Sequence, residues 1–249
     1  MLLARIRRSL LYPAPRTPVF GARAPFEEIS IPVPGGGTCI GWLARSDTRS
    51  ARVPCALFLH GNGENLATLS DSPALTVIHA LPAHLLVIDY PGYGRSSGVP
   101  SERTLVSAGS AALRALADAF PGTALYVVGW SLGAAVAIQL AARGPEVTRL
   151  VLVSPWSSLL DVASRFGPRW VAQRLFSDRY ESEAAGCRVT CPSLVLHGDA
   201  DDLIPVTHGR RVASGLAGTT ELVVLPDAGH NDVLCDPRAL QSIASFLAR

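Results

Sequence analysis

One serine in the sequence stands where a nucleophile would be exposed. The pentapeptide Gly129-Trp130-Ser131-Leu132-Gly133 joins the apolar run ALYVV to the alanine-rich stretch SLGAAVAIQL. A sharp turn from strand to helix would lift the Ser131 hydroxyl above a sheet and place it at a helix N-terminus, where free N–H groups favour an anion. The spacing predicts that Ser131 is a catalytic nucleophile; a plain glycine turn is the alternative.

A serine hydroxyl is a weak nucleophile unless a base lies within hydrogen-bonding reach. His230 is the best candidate, because it follows the last apolar run in ELVVLPDAGHND and so falls on a loop after a strand. A surface loop histidine is the alternative. Three carboxylates that could orient its imidazole, Asp199, Asp201 and Asp202, follow the run SLVLHG. Spacing alone does not choose among them.

Two glycine-containing segments follow other apolar runs. HGNGEN follows CALFL and can bring backbone N–H groups near the serine, so Asn62 and Leu132 are the predicted oxyanion donors. DYPGYGRSSG follows HLLVI and suggests a phosphate cradle as an alternative. It lacks dinucleotide-type glycine spacing and leads into Pro100 rather than a helix, which argues against nucleotide binding.

Composition excludes several classes of protein. The chain has 249 residues, is 48% hydrophobic and carries a net charge of +2, so it can bury a large core and has little to attract nucleic acid. All its Lys and Arg residues are arginine, which removes mechanisms that require a lysine ammonium. Its five scattered cysteines favour reduced thiols and a cytoplasmic location. No cofactor is expected, and no metal either, since Cys187 and Cys191 lack a second ligand pair.

The order of the apolar runs predicts the fold class. EEISIPV and TCIGWLA flank three glycines and read as an antiparallel hairpin. Six short apolar runs follow, alternating with helix-like stretches such as the one that begins at Ser101. This pattern indicates an α/β fold with an eight-stranded, mostly parallel sheet covered by helices on both faces. Active groups are expected at the carboxyl ends of its strands.

With these segments in place, the chain resembles the α/β-hydrolase superfamily from about Phe26 to its C-terminus. The segments HGNGEN, DYPGYGRSSG, GWSLG, SPWSSLLDVA, HGDADDLIP and GHND occur in the family's order. They are most similar to the cap-poor branch that includes bud-emergence-type fungal proteins and abhydrolase-domain depalmitoylases. In that branch the fifth position of His-Gly-x-x-Asp-x-x-Val-Pro is the catalytic acid, so the resemblance implies Asp201 for that role.

The resemblance also implies the activity and the domain organisation. A hydrolase domain over 26–249 would follow a basic arm over 1–25 and would cleave carboxylic ester or thioester bonds through an acyl-enzyme. A depalmitoylase is not implied, because the N-terminus has neither the spanning helix nor the cysteine cluster of the membrane-attached relatives. Packing on the domain is expected for the arm, with peripheral membrane contact as the alternative. A peptidase or amidase, or a non-catalytic binding protein of this fold, also remains open.

The stretch over 157–190 has the length of a short lid rather than a full cap domain. Aromatic side chains in or near it are candidates to line an acyl-binding cleft for a small-molecule ester, although packing of helices onto the sheet is the favoured interpretation. The candidates are Tyr90, Trp130, Trp156, Phe166, Trp170 and Phe176.

Overall fold

The computed structural model describes residues 2–15, 18–47, 53–144 and 146–249. Eight strands alternate with helices along the chain. The strands are β1 (Phe26–Val33), β2 (Gly37–Ala44), β3 (Cys55–Leu59), β4 (His84–Ile88), β5 (Leu125–Trp130), β6 (Val147–Val153), β7 (Ser193–Gly198) and β8 (Thr220–Leu225). The helices are α1 (Leu2–Leu11), α2 (Leu66–Ser70), α3 (Pro73–His79), α4 (Glu102–Ala119), α5 (Leu132–Ala141), α6 (Leu159–Ala163), α7 (Arg169–Leu175), α8 (Ser182–Gly186), α9 (Val206–Gly215) and α10 (Pro237–Leu247), with a short 3₁₀ turn (Val233–Cys235).

The strands form one sheet in the order β1-β2-β4-β3-β5-β6-β7-β8. The hairpin β1–β2 and the pair β2–β4 are antiparallel, and every other pair is parallel. This confirms the predicted fold class. The connections reverse direction at β3, which lies between β4 and β5. In open α/β sheets a ligand site forms at such a switch point, outside the carboxyl ends of the strands.

Strand β3 shows why the sheet needs cover on both faces. All five of its residues are buried, and they alternate between two apolar clusters, Leu57 and Leu59 in one and Ala56 and Phe58 in the other. Successive side chains of a strand point to opposite faces, so each cluster lies between the sheet and one helical layer. The continuous apolar runs of the sequence follow from this double burial.

Close packing brings helix α5 against the centre of the sheet. A Cβ atom on Gly133 would lie 1.9 Å from the Leu59 carbonyl oxygen, and one on Gly129 would lie 2.4 Å from the Gly133 carbonyl oxygen. Only glycine allows this approach of helix to strand. The two glycines of the pentapeptide therefore fix where the turn at Ser131 stands relative to β3.

The N-terminal arm packs on the rest of the chain. Tyr12, just after α1, is buried and donates its hydroxyl to Asp178 Oδ2 at 2.6 Å. The Asn65 amide donates to the carbonyl oxygens of Pro15 and Pro18 at 3.3 and 3.1 Å. Within the described ranges, no helix is long and apolar enough to cross a membrane.

Candidate active site

Ser131 occupies the strained turn between β5 and α5. Its backbone has φ 53° and ψ −111°, a left-handed conformation that is costly for a residue with a side chain. The Ser131 amide donates to the Val153 carbonyl at 2.9 Å, which ties the turn to the end of β6. The hydroxyl thus stands at the N-terminus of α5, at the carboxyl edge of the sheet, as the sequence predicts.

His230 lies within hydrogen-bonding distance of Ser131. The distance from His230 Nε2 to Ser131 Oγ is 3.0 Å, and that from His230 Nδ1 to Asp201 Oδ2 is 2.7 Å. The imidazole comes from the loop between β8 and the 3₁₀ turn, and the carboxylate from the loop after β7. With a proton on Nδ1 donated to the carboxylate, Nε2 is free to accept the serine proton.

Burial and hydrogen bonding distinguish Asp201 from its neighbours. Its Oδ1 accepts the amides of Leu203 and Ile204 at 3.0 and 2.7 Å, and the residue is 4% exposed. Asp199 and Asp202 are exposed, and Asp199 accepts an amide from a turn. Spacing left this choice open; the geometry places only Asp201 against the imidazole.

The carboxylate stays ionised despite its burial. Burial acts to raise the pKa of Asp201, but hydrogen bonds from His197, His230 and the Ile204 amide outweigh it and hold the pKa well below its usual range. His197 Nε2 lies 3.3 Å from Asp201 Oδ2. A negative charge is therefore in place behind the imidazole at neutral pH.

The predicted oxyanion donors belong to elements that meet at the serine. Leu132 is the first residue of α5, where backbone N–H groups have no partner within the helix. Asn62 lines the same cavity as Ser131, and both ends of its side chain are occupied: its Nδ2 donates to the Leu11 carbonyl at 2.7 Å, and its Oδ1 accepts the Tyr93 hydroxyl at 2.6 Å. Asn62 is thus held by two partners.

An apolar cavity of about 450 Å³ opens at Ser131. Three of the aromatic candidates from the sequence, Trp156, Phe166 and Phe176, line it. The wall also includes residues that sequence reasoning missed, from α1, from α7 and from the loop after β7. They include Leu10, Leu11, Val171, Leu175, Leu203 and Ile204.

Three predicted lining residues do not reach this cavity. Tyr90 is fully buried and donates its hydroxyl to the His60 carbonyl at 2.9 Å. Trp130 packs beside Gly61, with its ring 6.3 Å from that of His230. Trp170 lies on α7 but is not among the residues of that helix that face the cavity, and the Arg174 guanidinium lies 5.6 Å from its ring centroid. For Tyr90 and Trp130 these contacts favour the interpretation that they pack against neighbouring residues.

Glu64, in the loop that carries Asn62, is a second carboxyl group in this region. Burial raises its pKa from 4.5 to about 7, although a hydrogen bond with the Gly61 backbone acts to lower it. Among the described residues its Oε2 has no hydrogen-bond partner. The folded protein therefore carries this carboxyl group protonated below about pH 7.

The stability difference between Glu64→Gln and the original protein is expected to depend on pH. Between pH 4.5 and about 7 the unfolded chain ionises Glu64 while the folded protein keeps it neutral, so rising pH destabilises the original protein. Glutamine cannot ionise, so the advantage of Glu64→Gln should grow through this window and then level off. Urea unfolding from pH 5 to 8 measures it, with exposed Glu181→Gln as the control. A difference that stays constant with pH would contradict the assignment.

Comparison with known proteins supplies the family. Residues 57–178 match the family model described as alpha/beta hydrolase fold. The chain is 36% identical over 205 residues to the uncharacterized protein Rv2307c of Mycobacterium tuberculosis, covering 80% of this chain and 72% of that protein. It is 30% identical over 214 residues to alpha/beta hydrolase domain-containing protein 17C of Xenopus tropicalis, covering 85% and 67%.

Among solved structures, the Pyrococcus furiosus esterase Pf2001 superposes with a TM-score of 0.76 at 20% identity, covering 95% of this chain and 98% of that one. The fold shared with this esterase and the sequence identity to the Xenopus tropicalis protein point to the same family. The chain belongs to the α/β hydrolase family.

Proposed function

We propose that this protein is a serine hydrolase that cleaves carboxylic ester or thioester bonds. One observation carries the proposal: the Ser131 hydroxyl, the His230 imidazole and the Asp201 carboxylate form a continuous chain at 3.0 and 2.7 Å. This is the arrangement that activates a serine for attack on a carbonyl carbon. The family supports a hydrolase, and the structural neighbour from Pyrococcus furiosus is itself named an esterase.

The geometry supports a two-step acyl transfer. His230 Nε2 takes the Ser131 proton as Oγ bonds to the carbonyl carbon, and the carbonyl π electrons move onto oxygen. Backbone N–H groups of Asn62 and Leu132 would stabilise this oxyanion. The imidazolium then gives its proton to the leaving oxygen or sulfur as that bond breaks, leaving an acyl-enzyme. Water attacks in the same way and releases the acid, with no cofactor in either step.

Backbone strain argues against a purely binding role. A non-glycine residue held at positive φ costs on the order of 1–3 kcal/mol, and such residues gather at active sites. A protein that only binds ligands would be more stable with glycine at this turn. A catalytic role of the hydroxyl explains why a serine, and not a glycine, occupies this positive-φ position.

The cavity favours substrates with an apolar acyl group. Its lining is mostly apolar, and Ser131 and Asn62 are the polar side chains on its wall within the described part of the chain. We therefore propose a small-molecule acyl ester or thioester as substrate, with a hydrolase domain over 26–249 onto which the arm packs. The cytoplasmic location stays a prediction.

A fluorophosphonate probe tests the proposal directly. We expect stoichiometric labelling of Ser131, mapped by mass spectrometry and absent in Ser131→Ala. Hydrolysis of p-nitrophenyl esters from C2 to C16, alongside matched thioesters and aminoacyl anilides, then separates an esterase or thioesterase from a peptidase. Labelling without turnover of any carbonyl substrate, or labelling at another residue, would overturn the proposal.

A further inference from the structure

Exposed apolar side chains gather at the mouth of the cavity. Six large apolar side chains are exposed in the described ranges, and three of these line the cavity at Ser131: Leu10 (66% exposed), Phe166 (73%) and Leu203 (46%). A fourth, Trp170 (60%), extends from α7, where Val171, Ala172 and Leu175 line the cavity. Soluble proteins seldom concentrate apolar surface in this way unless it meets a partner, a ligand or a lipid phase.

A basic cleft lies directly beside this mouth. It measures about 400 Å³ and shares Leu11, Leu175 and Phe176 with the cavity wall. Four arginines line it: Arg7, Arg8, Arg174 and Arg179. Asp178 is the one acidic residue in its described lining, and this carboxylate already accepts the Tyr12 hydroxyl.

Within the described ranges, these arginines form no ion pair with a carboxylate. Arg179 donates to the backbone carbonyls of Gln173, Phe176 and Asp178. No ion pair joins Arg7, Arg8 or Arg174 to a carboxylate among the residues that the structure describes. Within the described lining, four arginines face one aspartate, so the cleft carries an excess of positive charge.

The arm is held in position to present these groups. The Leu11 carbonyl accepts the Asn62 amide, and Tyr12 bonds to Asp178 and Tyr180 at 2.6 and 2.9 Å. Helix α1 therefore ends at the cavity, with Leu10 on its mouth and Arg7 and Arg8 in the adjoining cleft. Apolar side chains flanked by arginines are typical of surfaces that lie in the headgroup region of a membrane.

We propose that this face docks on an anionic lipid bilayer. Leu10, Phe166, Trp170 and Leu203 would enter the interface, while Arg7, Arg8 and Arg174 contact headgroup phosphates. The cavity mouth would then open toward the lipid, where long acyl chains partition. That consequence for substrate delivery rests on the proposed hydrolase activity, but docking itself does not.

Vesicle flotation tests the docking. The protein is expected to float with vesicles of phosphatidylcholine containing 30% phosphatidylglycerol, and not with phosphatidylcholine alone. The triple variant Arg7→Glu/Arg8→Glu/Arg174→Glu should bind at least about 100-fold more weakly, since each arginine near an anionic surface contributes roughly fivefold. Raised salt should weaken binding of the original protein in the same direction.

A matched control has the same change in net charge. The triple variant Arg114→Glu/Arg143→Glu/Arg188→Glu alters exposed or half-exposed arginines in the second half of α4, after α5 and before β7, toward the amino ends of the strands. It should bind within a few-fold of the original protein. Equal losses in both variants would show a general charge effect and overturn the proposal, as would the absence of flotation at any lipid composition.

Trp170 supplies a readout that does not depend on charge. The other three tryptophans are buried, so the emission of Trp170 should shift to shorter wavelength on anionic vesicles and be quenched by brominated acyl chains. Trp170→Phe should remove the shift while leaving flotation largely intact. Unchanged emission from vesicle-bound protein would place another face on the lipid and reject this one.

A charge-reversed variant with normal flotation but raised KM for soluble anionic esters would instead assign the arginines to a soluble ligand. Ser131→Ala should float normally, which separates docking from catalysis.

Discussion

Ser131→Ala is expected to lower kcat for the best ester substrate on the order of 10⁶-fold, because the proposed acyl-enzyme forms on this hydroxyl. The hydroxyl contributes one hydrogen bond, to His230, so the fold should persist. Burst-phase and steady-state kinetics measure the loss, and circular dichroism checks the fold. Ser110→Ala, on helix α4 and outside the cavity lining, should retain full activity. A loss below about 100-fold would mean that Ser131 is not the nucleophile.

The backbone strain at Ser131 should be measurable as a difference in stability between two variants. Ser131→Gly removes the side chain that makes φ 53° costly, whereas Ser131→Ala keeps a Cβ in that conformation. We expect the free energy of unfolding of Ser131→Gly to be about 1 kcal/mol larger than that of Ser131→Ala. Glycine relieves the backbone strain, but it also adds conformational entropy to the unfolded chain, so the expected gain is the difference between the two effects. Equal stabilities would mean that the turn stores no strain.

Asp201→Asn should lower kcat on the order of 10⁴-fold with little change in KM. The amide cannot balance the imidazolium charge, and its NH₂ group facing Nδ1 would favour the tautomer with the proton on Nε2, which cannot accept from Ser131. The substitution also removes a buried charge that accepts two backbone amides, so stability must be measured in parallel.

The neighbouring aspartates provide internal controls for this experiment. Asp199→Asn and Asp202→Asn change the same group in the same loop, yet neither carboxylate contacts the imidazole. Both variants should keep kcat within a few-fold of the original protein. If Asp202→Asn lost as much activity as Asp201→Asn, the imidazole would have to change partners during the reaction.

The fold and the serine and histidine of the site follow from local sequence patterns. Buried runs and glycine spacing are short-range features, and they predicted the parallel sheet, the Ser131 turn and the His230 loop. The choice among three aspartates did not follow from spacing, because it depends on which carboxylate is buried and on which amides it accepts. Only the family resemblance singled out Asp201 in advance.

The sequence could not show which of the candidate aromatic side chains face the cavity. On α7, Val171, Ala172 and Leu175 face the cavity, and Trp170 does not. Because the facing side of a short helix is set by what it packs against, composition alone cannot supply it. The contribution of α1 was missed for another reason: the bond from Asn62 to the Leu11 carbonyl spans 51 residues, and no local pattern reports such a contact.

That bond ties the end of α1 to the loop that carries Asn62, a predicted oxyanion donor. Deleting residues 1–12 to improve expression would remove the acceptor of the Asn62 amide. It would also remove the part of the cavity wall that Leu10 and Leu11 form. Kinetic comparisons among differently engineered versions of this protein therefore compare different active sites unless their first dozen residues are identical, and C-terminal tags are the safer choice.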